Sequence, residues 1–411
     1  MSDYIAEIKG YQFLDSRANP TVACKAVTSS GKVGFAIVPS GASTGVHEAL
    51  EMRDNDRAKY HGKSVTKAVE NINTTIRTVV THEKLGDFGK IDKLLINLDG
   101  SENKSNLGAN AILGVSLACA KALSVSANLP LYRFIGGEKY FKLPVPMMNI
   151  LNGGAHASNN IDIQEFMIVP YGIETFAERL RAGSEIYHCL GKILKDKGLS
   201  CGVGDEGGFA PNLQNDESAL SCIMEAVSTA GYGENQIGIA LDVASSEWYK
   251  DNKYTLTKSQ KTLSADELCD YYERLCEKYP IISIEDGVGE DDFEGWKLMT
   301  KRFKDKIKLV GDDLFVTNTK RFKVGVEQGI ANAILIKLNQ IGTLSETLEV
   351  IDLANKSGYD TIISHRSGES EDTFIADLTV ATNSPFIKSG APARSDRVAK
   401  YNRLLMIESE I

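Results

Sequence analysis

The second half of the chain alternates short apolar runs with amphipathic stretches. Residues 333–336 in AILIKLNQIG form an apolar run of strand type, and Lys337 follows it with no turn residue between them. Amphipathic stretches such as ADELCDYYERLCEKY and TLSETLEVIDLANKSG separate this run from similar ones. Apolar, β-branched strands that alternate with helices are typical of a mainly parallel sheet. From about residue 143 onward, the pattern therefore predicts an α/β domain.

Several of these apolar runs end directly in a charged or titratable residue. Asp242 ends the run in IGIALDVASS, and Glu285 and Asp286 end the run in PIISIEDG. Asp312 and Asp313 end the run in KLVGDDLF, and His365 and Arg366 end the run in TIISHRSG. Repeated endings of this kind predict one shared site at the ends of adjacent strands. An open doubly wound sheet remains an alternative. We favour a closed α/β barrel, because barrel active sites lie at the carboxyl-terminal rim of the strands.

The first third of the chain has a different pattern. Residues 4–40 alternate apolar and polar positions around the turn signals Asn19-Pro20 and Ser30-Gly31, which predicts an antiparallel sheet. Residues 63–134 carry apolar residues at helical spacing. We therefore predict an N-terminal α+β domain over residues 1–136 and a C-terminal α/β barrel catalytic domain over residues 137–411.

A Gly/Ser/Thr segment lies inside the N-terminal domain, in VPSGASTGVHEALEMRD. We expect a helix after it. The segment either closes over a ligand or only turns the chain, and the residues favour neither.

Composition narrows the class of protein. The chain has 411 residues, 42% of them hydrophobic and 25% charged, as in ordinary soluble globular proteins. The net charge is −9 and no long basic run occurs, which argues against nucleic acid as the main partner. MSDYIAEIKG lacks the features of a secretory signal, and we expect no membrane-spanning segment. The seven cysteines form no CxxC pair, which favours buried thiols in a reducing cytoplasm.

Three carboxylates are candidates for a metal site. Asp242, Glu285 and Asp312 follow three successive strands. Hard oxygen ligands on rigid strands suit Mg²⁺, which keeps positions open for substrate. The alternative is that each carboxylate caps a helix or pairs with a neighbouring cation.

Lys337 is the candidate base. Burial and a nearby divalent cation both disfavour the charged form of a lysine, so we expect Lys337 to be neutral near pH 7. The alternative is a buried ion pair that only holds the barrel together. Lys388, in SPFIKSGAP, also follows an apolar run. One lysine would take a proton while the other stabilises negative charge.

Two glycine-containing loops carry further candidates. GVGDEGGFAPN at 202–212 holds Glu206, and NGGAHASNNIDIQEFMIVP at 152–170 holds His156 and Glu165. Glycines let the backbone approach a ligand closely, although such loops are also common as simple turns.

These residues resemble the enolase family, in its bacterial-type form. The motifs that carry the resemblance are PSGASTG, NGGAH, QEFM, GDEGGFAPN, ALDVAS, SIED, GDDL, NQIGT, SHRSGE, EDTFIADL and AKYNRLL. They cover essentially the whole chain in order. The resemblance implies an N-terminal lid domain on an atypical (β/α)8 barrel whose first units depart from strict alternation. It also implies a cytoplasmic protein that forms a homodimer or a ring of dimers. Some family members are found at the cell surface as well, and the resemblance allows the same for this protein.

The resemblance further implies the reversible dehydration of 2-phospho-D-glycerate to phosphoenolpyruvate with two Mg²⁺ ions per active site. Asp242, Glu285 and Asp312 would bind the first ion, and Ser43 would bind the second. Lys337 would take the proton from C2. Glu206 would be the general acid, assisted by Glu165, with repulsion between the two carboxylates keeping Glu206 protonated.

The remaining roles implied by the resemblance concern the substrate. Lys388 would hold its carboxylate, while Arg366 and Ser367 would hold its phosphate. His365 and His156 would line the pocket, and His156 would move in with its loop.

Some positions depart from the family pattern. Ala18 replaces the glycine usual in DSRGNPT, and NSPFIKSG replaces TGQIKTG before and around Lys388. A homologue that acts on a related phosphonate or phospho-carboxylate therefore remains an alternative. A superfamily enzyme for a non-phosphorylated acid is disfavoured by the intact SHRSGE. A catalytically silent binding protein is disfavoured because Lys337, Glu206 and the three carboxylates are all present.

Overall fold

The computed structural model describes residues 3–41, 45 and 47–411. An N-terminal strand-rich unit precedes a closed barrel with helices, which confirms the predicted fold class. The N-terminal sheet is antiparallel, with strands β1 (Ile5–Leu14), β2 (Pro20–Thr28) and β3 (Val33–Ile37). Leu14 pairs with Pro20 and Val27 pairs with Val33, so the chain reverses at both predicted turns.

Helices complete the N-terminal unit: α1 (Thr66–Asn71), α2 (Arg77–Glu83), α3 (Phe88–Asp99), α4 (Ala109–Ser126) and α5 (Leu131–Gly136). Helix α4 packs directly on the sheet, because a Cβ atom at Gly34 would lie 2.1 Å from the carbonyl oxygen of Ala118. Only glycine permits this approach.

Helix α4 bears on the expectation that no segment spans a membrane. Its 18 residues, with a mean hydropathy of 1.4, are long and apolar enough to cross a membrane by length and composition. However, 83% of the helix is buried inside the structure, as in the core helix of a soluble protein. The helix is therefore weak support for a membrane span.

The helix expected after the Gly/Ser/Thr segment is absent from the described part of that segment. Residues 47 and 48 form a turn and a bend, and residues 49–54 have no regular secondary structure. Polar groups from elsewhere in the chain hold this stretch. The backbone N–H of Ala49 donates to the carbonyl of Gln340 over 2.8 Å, and Met52 donates to the side chain of Asn110 over 3.1 Å. These partners replace the hydrogen bonds that a helix would make.

Eight strands within the described residues close the barrel. They are β4 (Val145–Asn152), β5 (Glu165–Val169), β6 (Gly238–Asp242), β10 (Ile281–Glu285), β11 (Lys308–Gly311), β12 (Ala333–Ile336), β13 (Asp360–Ser364) and β14 (Phe386–Lys388). Strand β5 is antiparallel to both β4 and β6, whereas the other pairs are parallel. This confirms the expected departure from strict alternation in the first units.

The direction of β5 determines where Glu165 lies. Because β5 runs against its neighbours, its first residue reaches the rim where the other strands end. Glu165 pairs with Asn152 at the end of β4 and with Asp242 at the end of β6. Glu285 in turn pairs with Asp242. The register therefore aligns three carboxylates along one rim.

Helices surround the barrel: α6 (Phe176–Asp196), α7 (Asp216–Thr229), α8 (Ala265–Lys278), α9 (Phe293–Phe303), α10 (Thr319–Gln328), α11 (Leu338–Ile341), α12 (Leu344–Lys356), α13 (Phe374–Thr382) and α14 (Ser395–Glu410). A small sheet lies between β6 and α8, with strands β7 (Tyr249–Lys250), β8 (Lys253–Thr255) and β9 (Thr262–Leu263).

Apolar side chains fill the barrel interior. Met147, Met167, Leu335 and Ile362 pack there with their neighbours, and a larger core lies between the strands and the helices. This packing makes the strand ends a rigid support for the charged residues that follow them.

Candidate active site

Charged residues crowd a narrow cavity of about 50 Å³ at the carboxyl-terminal rim of the barrel. The sequence candidates that line it are His156, Glu165, Glu206, Asp242, Asp312, Lys337, His365, Arg366, Ser367 and Lys388. Glu285 lies just behind them, 1% exposed. The structure therefore brings the candidates together, except for Ser43, which lies outside the described residues.

Lys388 lies at the centre of a cluster of carboxylates. Its Nζ atom is 2.9 Å from Asp242 Oδ2, 2.9 Å from both oxygens of Glu285, and 3.4 Å from Glu165 Oε2. Burial opposes the charge on Lys388, but these carboxylates outweigh burial and raise its pKa. The pKa of Glu285 is also raised, by burial and by repulsion from Asp242. One ammonium group therefore does not satisfy the cluster.

Lys337 contacts Asp312 at the neighbouring strand end. Burial is the largest single effect and lowers the pKa of Lys337, but the carboxylates of Asp312 and Glu285 together outweigh it and the net shift is upward. The same contact lowers the pKa of Asp312, although burial alone would raise it. These contacts favour the charged form of Lys337, whereas the expectation of a neutral Lys337 assumes a divalent cation beside it and stays a prediction.

Glu165 and Glu206 form a buried pair beside two histidines. Burial and repulsion from Glu206 raise the pKa of Glu165. Burial would also raise that of Glu206, but His365 and His156 lower it. His156 Nδ1 lies 3.3 Å from Glu165 Oε1; burial opposes its charge, yet the carboxylates raise its pKa to about 9. The neighbours of Glu206 thus favour its charged form in this arrangement, and the expectation that Glu206 holds the proton stays a prediction.

Arg366 makes a buried ion pair across the interface between barrel and N-terminal unit. Its Nη1 atom is 2.9 Å from Glu48 Oε2 and 3.2 Å from Asn339 Oδ1. Glu48 Oε1 also accepts from the backbone N–H of Gly45 over 3.1 Å. Arg366 is thus connected to the segment that contains Ser43.

The residues present fit a divalent cation. Glu165, Asp242, Glu285 and Asp312 share two ammonium groups, and the pKa of Glu285 is raised by burial first and then by repulsion from Asp242 and Asp312. The ammonium of Lys388 already occupies the position of a cation between Asp242 and Glu285. Carboxylate oxygens are the ligands that Mg²⁺ prefers. Asp312 faces Lys337 and approaches Asp286 and Asp313, with ligand atoms within 4.8 Å of one another.

Sequence reasoning gave no positioning role to several polar residues around the candidates. The side-chain amide of Gln340 donates to Asp312 Oδ1 over 2.9 Å, and Asn149 donates to Glu206 Oε2 over 3.1 Å. Asp286 accepts the backbone N–H groups of Asp312 and Asp313 over 3.0 and 2.9 Å. Gln340 lies in the same sequence segment as Lys337, and Asp286 lies in the same segment as Glu285. This proximity in sequence could have identified both residues. No sequence signal identifies Glu48, because its partner Arg366 belongs to the barrel and Glu48 to the N-terminal unit.

Comparison with protein families covers nearly the whole chain. Residues 5–135 match the model described as the enolase N-terminal domain. Residues 140–411 match the model described as the enolase C-terminal TIM barrel domain. Both matches agree with the order of the strand-rich unit and the barrel. The chain therefore belongs to the enolase family.

Proposed function

We propose that this protein catalyses the reversible, Mg²⁺-dependent dehydration of 2-phospho-D-glycerate to phosphoenolpyruvate, as a hydro-lyase. The observation that supports this most is the arrangement of one cavity, with Lys337 beside Asp312 on one side and the Glu165–Glu206 pair on the other. An elimination needs a base and an acid on opposite sides of the substrate.

The base in this proposal is Lys337. It accepts the C2 proton at Nζ, and only its neutral form can do so. Because contact with Asp312 raises the pKa of Lys337, this contact must weaken before the proton is taken. Asp242, Glu285 and Asp312 would hold one Mg²⁺ ion and Ser43 a second, and these ions would supply positive charge that stabilises the carbanion.

The acid in this proposal is the Glu165–Glu206 pair. Hydroxide is a poor leaving group, so the C3 hydroxyl needs a proton as its bond to carbon breaks. Glu206 delivers it, and Glu165 assists. Burial and repulsion from Glu206 raise the pKa of Glu165, so Glu165 can supply the proton that Glu206 passes on. His156 lies against Glu165 and lines the same wall of the cavity.

The cationic side chains hold the substrate in this proposal. Arg366 and Ser367 bind the phosphate, with His365 beside them, and Lys388 binds the carboxylate. Lys388 is engaged by Asp242 and Glu285 in the structure, so it must leave these carboxylates to bind the substrate carboxylate.

The alternative is a homologue that acts on a related phosphonate or phospho-carboxylate. Its support comes from the altered segment before Lys388. However, Ser384 is bonded to Thr361 over 2.8 Å, and neither Ser384 nor Phe386 is among the described residues that line the cavity. The alternative therefore has little support from the site itself.

We also propose a division of the chain at residues 136 and 137, and a cytoplasmic homodimer or ring of dimers. Light scattering of the purified protein tests the assembly. A monomeric mass would contradict it.

The test of function is an ultraviolet assay that follows formation of the new carbon–carbon double bond from 2-phosphoglycerate. We expect turnover in the wild type with Mg²⁺ and none with EDTA or in Lys337→Ala. Lys192→Ala, which changes an exposed lysine with a 75% exposed side chain, is the matched control and keeps full activity. A folded wild type that binds Mg²⁺ without turnover would contradict the proposal and direct attention to phosphonates.

A further inference from the structure

Arg397 is a fully buried arginine that touches the active site from behind. It lies in the first turn of α14 and is 0% exposed. Its Nη1 atom bonds His365 Nδ1 and donates to the carbonyl of Arg366 over 2.7 Å. Its Nη2 atom donates to the carbonyls of Ser367 over 2.6 Å and Asp205 over 3.3 Å. One guanidinium group therefore holds both the 365–367 segment and the loop that carries Glu206.

The contact with His365 determines which ring nitrogen carries the proton. A guanidinium group has only donors, so His365 Nδ1 must be the acceptor. A neutral imidazole has one N–H group, which is then at Nε2. This Nε2 atom faces Glu206 Oε2 at 3.4 Å. Burial and Arg397 lower the pKa of His365, in agreement with a neutral ring, although Glu206 opposes them.

The proton at Nε2 affects Glu206 directly. Asn149 already donates to Glu206 Oε2 over 3.1 Å, so Nε2–H offers this oxygen a second donor. Donors favour an ionised carboxylate. The opposite tautomer would place a lone pair against the carboxylate and repel it. The orientation of the His365 ring thus favours Glu206 as the charged member of the pair.

We propose that Arg397 is a positioning residue that holds His365 as the Nε2–H tautomer and so directs a hydrogen-bond donor at Glu206. The tautomer follows from the contacts alone. Only its effect on turnover rests on the proposed dehydration of 2-phosphoglycerate.

The tautomer is tested by nitrogen NMR of the full-length protein labelled with ¹⁵N at its six histidines. The signals of His365 are those lost in His365→Gln. We expect the wild-type spectrum to show a neutral ring protonated at Nε2. A ring protonated at Nδ1, or at both nitrogens, overturns the proposal whether or not any Arg397 variant folds.

Arg397→Met then tests whether Arg397 is responsible. We expect His365 to lose its single tautomer, because the donor to Nδ1 is gone. Arg403→Met is the matched control, since Arg403 lies on the same helix but pairs with Asp377 at 2.7 Å. A pure Nε2–H ring in Arg397→Met would overturn the proposal.

Kinetics separate a positioning role from a structural one. With 2-phosphoglycerate, we expect Arg397→Met to lower kcat about tenfold or more, because Glu206 loses a donor that favours release of its proton, and to change KM less than kcat. In the His365→Gln background the same substitution should cause no further loss. Additive losses would overturn action through His365. An inactive wild type with the expected tautomer would instead count against the proposed function alone.

Discussion

Glu48 Oε2 lies 2.9 Å from Arg366 Nη1, and the two side chains are 6% and 3% exposed. Removal of one partner from a buried ion pair leaves an uncompensated charge and typically costs about 3–5 kcal/mol. Because Arg366 also contacts Asn339, we expect Glu48→Ala to lower the free energy of unfolding by the smaller amount, about 3 kcal/mol. Urea-induced unfolding measures this.

The matched comparison is an exposed ion pair. Lys192 and Asp196 have side chains that are 75% and 60% exposed, and solvent screens their attraction. We expect Lys192→Ala to leave the unfolding midpoint unchanged. If Glu48→Ala and Lys192→Ala changed the free energy of unfolding equally, the Glu48–Arg366 pair would not hold the N-terminal unit on the barrel.

Much of the site was predictable because it depends on local sequence. Asp242 and Lys337 each follow an apolar run, and parallel strands place such ends together. Glu165 instead precedes its apolar run, and it reaches the same rim because β5 is antiparallel. The barrel pattern alone does not give this reversal, whereas the resemblance to a family implied it.

The protonation states were not predictable in the same way. Burial of Lys337 was foreseen, but the sequence gives no distance to Asp312, and this contact reverses the shift in its pKa. The protonation of Glu206 was not predictable either, because it depends on His365, which lies 3.4 Å away in space but 159 positions later in the chain. Arg397 and Glu48 act through contacts between distant segments, for which one sequence offers no signal.

The cluster around Lys388 predicts how metal binding responds to substitution. We expect Asp242→Asn and Glu285→Gln each to weaken Mg²⁺ binding at least about tenfold, because each removes a charged oxygen ligand. Isothermal calorimetry with the metal-free protein and Mg²⁺ measures this without turnover. Asp305→Asn, which changes an exposed aspartate, is the control. Unchanged binding in both site variants would place the metal elsewhere.

Ala18 predicts a gain of stability. Its φ is 59°, a left-handed conformation that costs an ordinary residue about 1–2 kcal/mol. The side chain is exposed, and the turn is held by Asp15, which accepts the N–H groups of Arg17 and Asn19. Ala18→Gly should therefore raise the free energy of unfolding by about 0.5–1 kcal/mol after the entropic cost of glycine.

The melting temperature of Ala18→Gly is the measurement. Ala177→Gly, an exposed position in the first turn of α6, is the matched control and should change stability in the opposite direction. A lower melting temperature for both variants would show that the turn does not strain Ala18.

Asp92 joins the two units at a fully buried position. Its Oδ2 atom accepts from the backbone N–H and the hydroxyl of Ser345 in the first turn of α12, over 2.8 and 2.7 Å. Burial raises the pKa of Asp92 from 3.8 to about 6, although Ser116 and Ser345 oppose the shift. The folded protein therefore keeps a proton that the unfolded chain releases.

This difference makes stability fall as pH rises from about 4 to about 6, by about 3 kcal/mol for this group. Asp92→Asn cannot titrate, so its free energy of unfolding relative to wild type should rise by that amount across the window. Urea unfolding at a series of pH values measures the difference. Ser345→Ala removes one donor to the charged form, the hydroxyl, and should extend the fall to higher pH. A relative stability of Asp92→Asn that is independent of pH would mean that Asp92 is ionised throughout, and that the interface tolerates its charge.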